Sequence, residues 1–172
     1  MQRFFAGFLT ALIALAVGAF VAVKFGLVPA TADVPPSKME RQMAHMSLNA
    51  TIAREAPQPP YPYASSDAAI VAGSKLYTEH CSMCHGTGVG GPTILAKGQY
   101  VTPPQFAKHG VDDDPEGKIY WNIEHGIRFT AMPSYKTQLT EEQIWDLAYF
   151  LKNVPDHLPP AAQVQWHKIA GE

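Results

Sequence analysis

The segment EHCSMCHGTG, residues 79–88, contains both cysteines of the chain, Cys81 and Cys84, with His85 directly after the second. Two thiols three residues apart can form a redox disulfide, supply half of a zinc site or bond covalently to a cofactor. A thioredoxin-like disulfide requires a βαβ setting, and a structural zinc site requires a second pair of ligands at matching spacing. The remaining sequence shows neither pattern.

The composition is that of one modest globular domain with appended segments. The chain has 172 residues, of which 47% are hydrophobic and 16% are charged. Its formal net charge of -2 provides no basic patch of the kind that binds nucleic acid. We therefore expect no nucleic-acid partner.

Apolar residues recur at helical spacing in three places, and no segment alternates like a β-strand. The first predicted helix begins at Asp67 as N-cap and leads to the cysteines. The second follows Asp114 as N-cap and ends at Gly126. The third begins at Thr140, which forms a capping box with Gln143. We predict an all-α domain.

A covalent cofactor explains the C-x-x-C-H segment, because this motif is the attachment signal for c-type haem. On a helix Cys81, Cys84 and His85 share one face, so two thioethers can hold the porphyrin edge while the imidazole reaches the iron. A long loop without periodicity, residues 86–110, is typical of a segment that wraps a bound group. We predict one haem c, bound through Cys81 and Cys84, with His85 on the iron.

A second side chain is needed to complete the coordination of the iron. Met132 precedes Pro133 in an extended loop ahead of the third helix, where core packing explains a methionine poorly. We predict Met132 as the sixth ligand. The other candidates, which we interpret as surface or neighbouring residues, are His109, His125, His157 and His167.

The N-terminal segment is long and apolar enough to cross a membrane. Residues 4–23 contain no charged side chain, and as a helix they match a hydrocarbon core of roughly 30 Å. The competing interpretation is a signal peptide cleaved after Ala30-Thr31-Ala32. Because the apolar run exceeds the usual length in signal peptides, we predict an uncleaved anchor, residues 1–28, that contacts membrane lipid through residues 4–23. The positive charge of Arg3 places the rest outside the cytoplasm.

Three further parts follow this anchor. We predict a proline-rich linker over residues 29–66, a haem domain over residues 67–156 and a C-terminal tail over residues 157–172. Within the linker, Met39, Met43 and Met46 recur at helical spacing and predict a short amphipathic helix. We interpret the methionines as its packing face, in preference to a copper site with His45.

The sequence resembles the class I c-type cytochromes, and more closely the membrane-anchored monohaem cytochromes c of bacterial respiratory chains. The resemblance covers roughly residues 66–154. It rests on GSKLYTEHCSMCHGTGVGGP, IYWNIEHGIRFTAMPSY and LTEEQIWDLAYFLKNV, in the family's order.

This resemblance implies roles for particular residues. Cys81 and Cys84 would bind the haem, with His85 as proximal and Met132 as distal ligand. The carbonyl group of Pro92 would face the proximal histidine. The first and last helices would meet through Gly73 and Tyr77 against Leu147 and Phe150, and the haem would be bordered by Trp121 and Arg128.

The ligand pair determines the predicted function. A thioether opposite an imidazole stabilises reduced iron, and two tight axial ligands leave no open position for substrate. We therefore predict an electron carrier and not an enzyme. A second hypothesis is an enzyme or gas sensor in which Met132 dissociates, although a two-haem peroxidase would need another C-x-x-C-H motif, and the sequence has one.

For the cellular role we expect a membrane-tethered carrier that moves single electrons from a respiratory or dehydrogenase complex to a terminal acceptor such as an oxidase. Its partners are then an electron-donor and an electron-acceptor redox protein. The resemblance implies the bacterial inner membrane, with the haem domain facing the periplasm. The alternative is a fixed haem c subunit of a larger membrane oxidoreductase complex.

Retention of the anchor can be tested on the mature protein. We expect an intact mass that includes residues 4–23, because the apolar run has the length of a membrane span. A mature N-terminus at Asp33 would contradict the prediction and would leave the haem assignment unaffected.

Overall fold

The computed structural model describes residues 1–87, 92–106, 108, 110–154 and 156–170. The described residues form eight helices and no strand, which confirms the all-α prediction. His109, one of the candidate iron ligands, lies outside the described residues. The helices are α1 (Gln2–Lys24), α2 (Lys38–Glu55), α3 (Asp67–His80), α4 (Ser82–His85), α5 (Ile94–Lys97), α6 (Glu116–His125), α7 (Glu141–Asn153) and α8 (Pro160–Ala170).

The chain forms two compact units, Met1–Val34 and Pro35–Glu172. The first unit contains α1, whose 23 residues are long and apolar enough to cross a membrane. No side chain of α1 is buried within the structure. A signal sequence near the N-terminus has the same properties.

The core of the second unit is the crossing of α3 and α7. A Cβ atom on Gly73 would lie 2.1 Å from the backbone oxygen of Asp146, so the two helices touch through their backbones. Beside this point the rings of Tyr77 and Phe150 lie 5.3 Å apart, and both side chains are fully buried together with Leu147. The helix contact that the resemblance implied is therefore present.

Two predicted N-caps were wrong by one residue. Ser66, and not Asp67, caps α3, because its hydroxyl accepts a hydrogen bond from the backbone N–H of Ala69 at 3.2 Å. The N-cap of α6 is Pro115, while the Asp114 carboxylate accepts a hydrogen bond from the Lys118 ammonium at 2.6 Å.

The capping box at the start of α7 is confirmed. Thr140 accepts from the backbone N–H of Gln143, and the Gln143 side chain accepts from the backbone N–H of Thr140 at 2.8 Å. The helix that follows buries Ile144, Trp145, Leu147, Ala148, Tyr149, Phe150 and Leu151. This helix supplies the largest share of the core.

The segment predicted as a C-terminal tail belongs to this core. Helix α8 packs against α3 and buries Trp166, whose ring lies 5.6 Å from that of Tyr77 and 5.8 Å from that of Phe150. The aromatic side chain is large enough to hold a short helix against α3.

Residues 35–66 were predicted as a linker, but they belong to the second unit. The ring of Tyr61 lies 4.7 Å from that of Trp145, and the Tyr149 hydroxyl donates to the backbone oxygen of Tyr63 at 2.5 Å. A Cβ atom on Gly117 would lie 2.0 Å from the carbonyl oxygen of Pro57. The aromatic side chains between the prolines therefore fix this segment on α6 and α7, and the observed boundary lies between Val34 and Pro35.

The predicted helix within that segment is α2, but its packing face was predicted wrongly. Met39, Met43 and Met46 are 63–71% exposed. The buried residue of α2 is Ile52, and Leu48, one helical turn earlier, is half-buried. Aliphatic side chains of the last two turns therefore make the contact, and the methionines face outward.

The Gly73 contact predicts a large effect of one methyl group. We expect Gly73→Ala to lower the free energy of unfolding by about 1–3 kcal/mol, the usual cost of overpacking, because the new Cβ would clash with the α7 backbone. Gly98→Ala is the control, since its nearest neighbouring atom would be 3.8 Å away. Thermal or urea denaturation measures both variants, and equal stabilities would contradict the prediction.

Candidate haem-binding site

The C-x-x-C-H motif lies at the junction of α3 and α4. Cys81 ends α3 and begins α4, and its backbone oxygen accepts from the N–H groups of Cys84 at 3.1 Å and His85 at 2.9 Å. The single turn of α4 places the three side chains beside one cavity. Both cysteines are free thiols.

His85 is oriented by contacts on its ring. Its Nδ1 atom lies 2.9 Å from the carbonyl oxygen of Pro104, and because a carbonyl can only accept, Nδ1 carries the proton. The ring stacks on Phe106 at 4.5 Å with an interplanar angle of 10°. Burial lowers the pKa of His85, and the hydrogen bond to Pro104 opposes this shift. The imidazole is thus held neutral with Nε2 available to a metal.

The carbonyl group facing His85 is therefore that of Pro104, and the assignment of this role to Pro92 was wrong. Pro92 directly precedes the turn that begins α5, and the chain returns to His85 only after that helix. The consecutive prolines Pro103 and Pro104, just ahead of Phe106, were the available signal in the sequence.

The cysteine environment disfavours redox chemistry of the thiols. Burial, and to a smaller extent Cys84, raises the pKa of the Cys81 thiol to about 12. Reactive cysteines instead have a lowered pKa. The Cys84 turn is fixed by Gln99, whose Nε2 donates to Cys84 Sγ at 3.2 Å, and by Gln105, whose Nε2 donates to the Cys84 backbone oxygen at 3.0 Å.

Met132 lies in a loop of defined geometry. Helix α6 ends at Gly126, as predicted, with a φ of 67°, and a Cβ atom there would lie 2.7 Å from the Met132 backbone oxygen. The same oxygen accepts from the N–H of Ile127 at 3.3 Å, while the Met132 N–H donates to Thr130 Oγ1 at 3.1 Å. Glycine is required where the helix end approaches this loop so closely.

The structure brings the four principal predicted residues together. Cys81, Cys84, His85 and Met132 line one cavity of about 70 Å³. Its apolar wall includes Phe106, Ile123 and Leu151. His157 and His167 do not line this cavity, and the His125 ring instead stacks on Trp121 at 4.6 Å.

A wider cleft adjoins this cavity and is lined by Trp121 and Arg128 as well as by His85 and Met132. The indole N–H of Trp121 is buried and makes no hydrogen bond with any described residue. Its interaction with the exposed Glu55 carboxyl is weak, because the pKa of Glu55 is lowered chiefly by a hydrogen bond with Arg54, burial opposes this shift, and the interaction with Trp121 contributes least. A buried donor with so weak an interaction favours a ligand that brings a stronger acceptor. Haem does so through its propionate carboxylates, so the residues fit this group.

Comparisons with known proteins find similar chains. The family model described as "Cytochrome C oxidase, cbb3-type, subunit III" matches residues 68–151. Cytochrome c6 of Parathermosynechococcus lividus is 27% identical over 82 residues, which are 48% of this chain and 86% of that protein. Cytochrome c6 of Synechococcus elongatus gives the same identity and coverage.

One solved structure is also similar. It comes from the Kuenenia stuttgartiensis reducing HAO-like protein complex, with a TM-score of 0.47 and 24% identity. The match covers 59% of this chain and 52% of that one, so this chain spans about half the length of its structural neighbour.

The family match over residues 68–151 and the cytochrome c6 relatives support a class I c-type cytochrome domain. The cytochrome c homologues are electron carriers and not enzymes, and they support an electron-transfer function for this domain. The family implies haem c as the cofactor.

Proposed function

We propose that the chain carries single electrons on one haem c bound through Cys81 and Cys84, with His85 and Met132 as axial ligands. The proposal rests on one observation, the convergence of these four side chains on a single cavity. The hydrogen bond between His85 Nδ1 and the Pro104 carbonyl supports it, because it leaves Nε2 for the iron.

The haem supplies reversible one-electron chemistry when it is bound. The side chains of this protein influence the reduction potential of the haem iron. A neutral imidazole and a neutral, soft thioether favour reduced iron over oxidised iron. Phe106, Ile123 and Leu151 exclude water from the cavity, and a low dielectric disfavours the additional positive charge of the oxidised state. These residues together favour a raised reduction potential.

For the cellular role, we propose that α1 anchors the chain in the bacterial inner membrane with the haem domain in the periplasm. The length and apolar character of α1 support the anchor. The electron donor would be a respiratory or dehydrogenase complex, and the acceptor a terminal acceptor such as an oxidase. The match to a family named for subunit III of a cbb3-type oxidase supports a respiratory role.

A second candidate is a fixed haem c subunit of a membrane oxidoreductase complex. The packing of residues 35–66 on the haem domain favours it, because only Phe25–Val34 remain between the end of α1 and the second unit. A flexible segment of this length has a root-mean-square reach of about 17 Å, compared with about 34 Å for the predicted linker. Gentle solubilisation separates the candidates, since the chain migrates alone as a free carrier and within a large complex as a fixed subunit.

Covalent attachment is tested by haem staining after denaturing electrophoresis. We expect the wild-type chain to stain and the double variant Cys81→Ala/Cys84→Ala to lose the stain, because thioether bonds survive denaturation. Haem that dissociates from the wild-type chain on denaturation would refute the proposed attachment.

Ligation by Met132 is tested by optical spectra and redox titration. We expect Met132→Ala to abolish the weak sulfur-to-iron absorption band in the far red. Met132→His should keep six-coordination and lower the reduction potential, because imidazole favours oxidised iron more than a thioether does. Met46→Ala, at an exposed methionine of α2, is the control and should retain band and potential. Survival of the band in Met132→Ala would refute the assignment.

A further inference from the structure

Helix α2 forms a wall of the cleft beside His85 and Met132. The α2 residues that line the cleft include Arg41, Ala44, His45, Leu48 and Thr51. They recur at intervals of three and four residues and therefore share one face of the helix. This helix precedes residues 68–151, to which the cytochrome family model corresponds. The wall is thus an addition to the matched domain.

Both ends of this wall are fixed. Near its N-terminus, Glu40 accepts a hydrogen bond from the Tyr100 hydroxyl. Near its C-terminus Ile52 is buried at 7% exposure, and the Pro57 carbonyl that follows contacts α6 at Gly117. Because contacts hold both ends, the face between them is kept toward the cleft.

The cleft has an excess of positive charge. Arg41 of α2 and Arg128, beyond the end of α6, both line it, and within the described part of the chain neither guanidinium makes an ion pair or a hydrogen bond. Among the described lining residues the single carboxylate is that of Glu40, which already accepts from Tyr100. The buried N–H of Trp121 is a further donor, whose interaction with Glu55 is weak and falls short of hydrogen-bond geometry. Two guanidinium groups and an indole N–H together suit carboxylates, which guanidinium binds in a planar, bidentate manner.

We propose that α2 is part of the haem site and that Arg41 binds a haem propionate across the cleft from Trp121 and Arg128. This inference rests on the proposed function, since it requires haem at this site. Arg41 is then a positioning residue with an electrostatic effect. Its positive charge offsets a propionate near the iron and so favours the reduced state, in which the iron carries less positive charge. Removal of the charge lowers the reduction potential.

The first test is redox titration of the purified full-length haem protein. We expect Arg41→Gln to lower the equilibrium constant for reduction three- to tenfold, or about 28–59 mV for one electron. Arg41→Lys should recover most of the loss because it restores the charge. Lys38→Gln is the matched control, since it removes one positive charge from the same helix at a residue that does not line the cleft. A shift in Arg41→Gln no larger than that in Lys38→Gln overturns the inference.

The second test requires no variant and covers the case in which Arg41→Gln fails to fold. Phenylglyoxal modifies accessible arginines, and mass spectrometry measures the rate at each site. In the native haem protein we expect Arg41 to react at least threefold more slowly than Arg54, which lies on the same helix and pairs with Glu55 at the surface. The two rates should become equal after unfolding. Equal rates in the native protein overturn the inference.

Different results refute the proposed function and the role of Arg41. A wild-type chain without covalent haem refutes the proposed function and, with it, the role of Arg41. The other result refutes only the role of Arg41. In that case the haem is covalent and the absorption band depends on Met132, but Arg41→Gln and Lys38→Gln shift the reduction potential equally.

Discussion

The backbone contact at Gly73 determines the geometry on which the site depends. Because a Cβ atom there would lie 2.1 Å from the Asp146 oxygen, α3 and α7 approach more closely than side chains allow. Helix α3 leads directly to Cys81, and α7 also packs on α6, whose end at Gly126 begins the loop that holds Met132. Both sides of the proposed haem pocket are therefore positioned by contacts with α7. A shift of that helix would move the two axial side chains relative to each other.

Electrostatics add a second constraint, because the side chains of the site all favour reduced iron over oxidised iron. His85 is held neutral by burial, Met132 is uncharged, and Cys81 and Cys84 would carry no charge as thioethers of the proposed haem. The cavity itself therefore contributes no anion that would favour oxidised iron. Positive charge lies further out, at Arg41 and Arg128, where under the proposal it would offset the charge of a haem propionate without contacting the iron.

Sequence patterns predicted the parts of this structure that local chemistry determines. The capping box at Thr140, the glycine at the end of α6 and the face shared by the C-x-x-C-H residues follow from neighbours a few positions apart. The Gly73 contact and the grouping of His85 with Met132 are long-range, and they were predicted only through the resemblance to a family. The roles of the iron ligands remain predictions supported by this geometry.

The sequence patterns did not predict features that depend on how distant segments of the chain fold back on each other. Whether Pro92 or Pro104 faces His85 depends on how the loop turns around α5, which no spacing rule specifies. Prolines around residue 60 are typical of an extended linker, but an extended segment can also pack. Here the Tyr61 ring packs on Trp145, and the Tyr63 backbone oxygen accepts a hydrogen bond from Tyr149. Helix α8 was missed for a related reason, since Trp166 stabilises it through contacts with α3 and α7.

The packing of residues 35–66 changes which part of the chain can act as a tether. Deleting residues 36–56 would remove Ile52 from the core and Arg41 from the cleft, so its effect on electron transfer would not report the length of a tether. The length can be varied without disturbing these contacts only in Phe25–Val34, between the end of α1 and the second unit. If the protein is a tethered carrier, electron delivery depends on the length of that segment, because effective concentration depends on the reach of the connection. Under the proposed role of α2, changes within residues 35–66 would act instead on the haem pocket and its reduction potential.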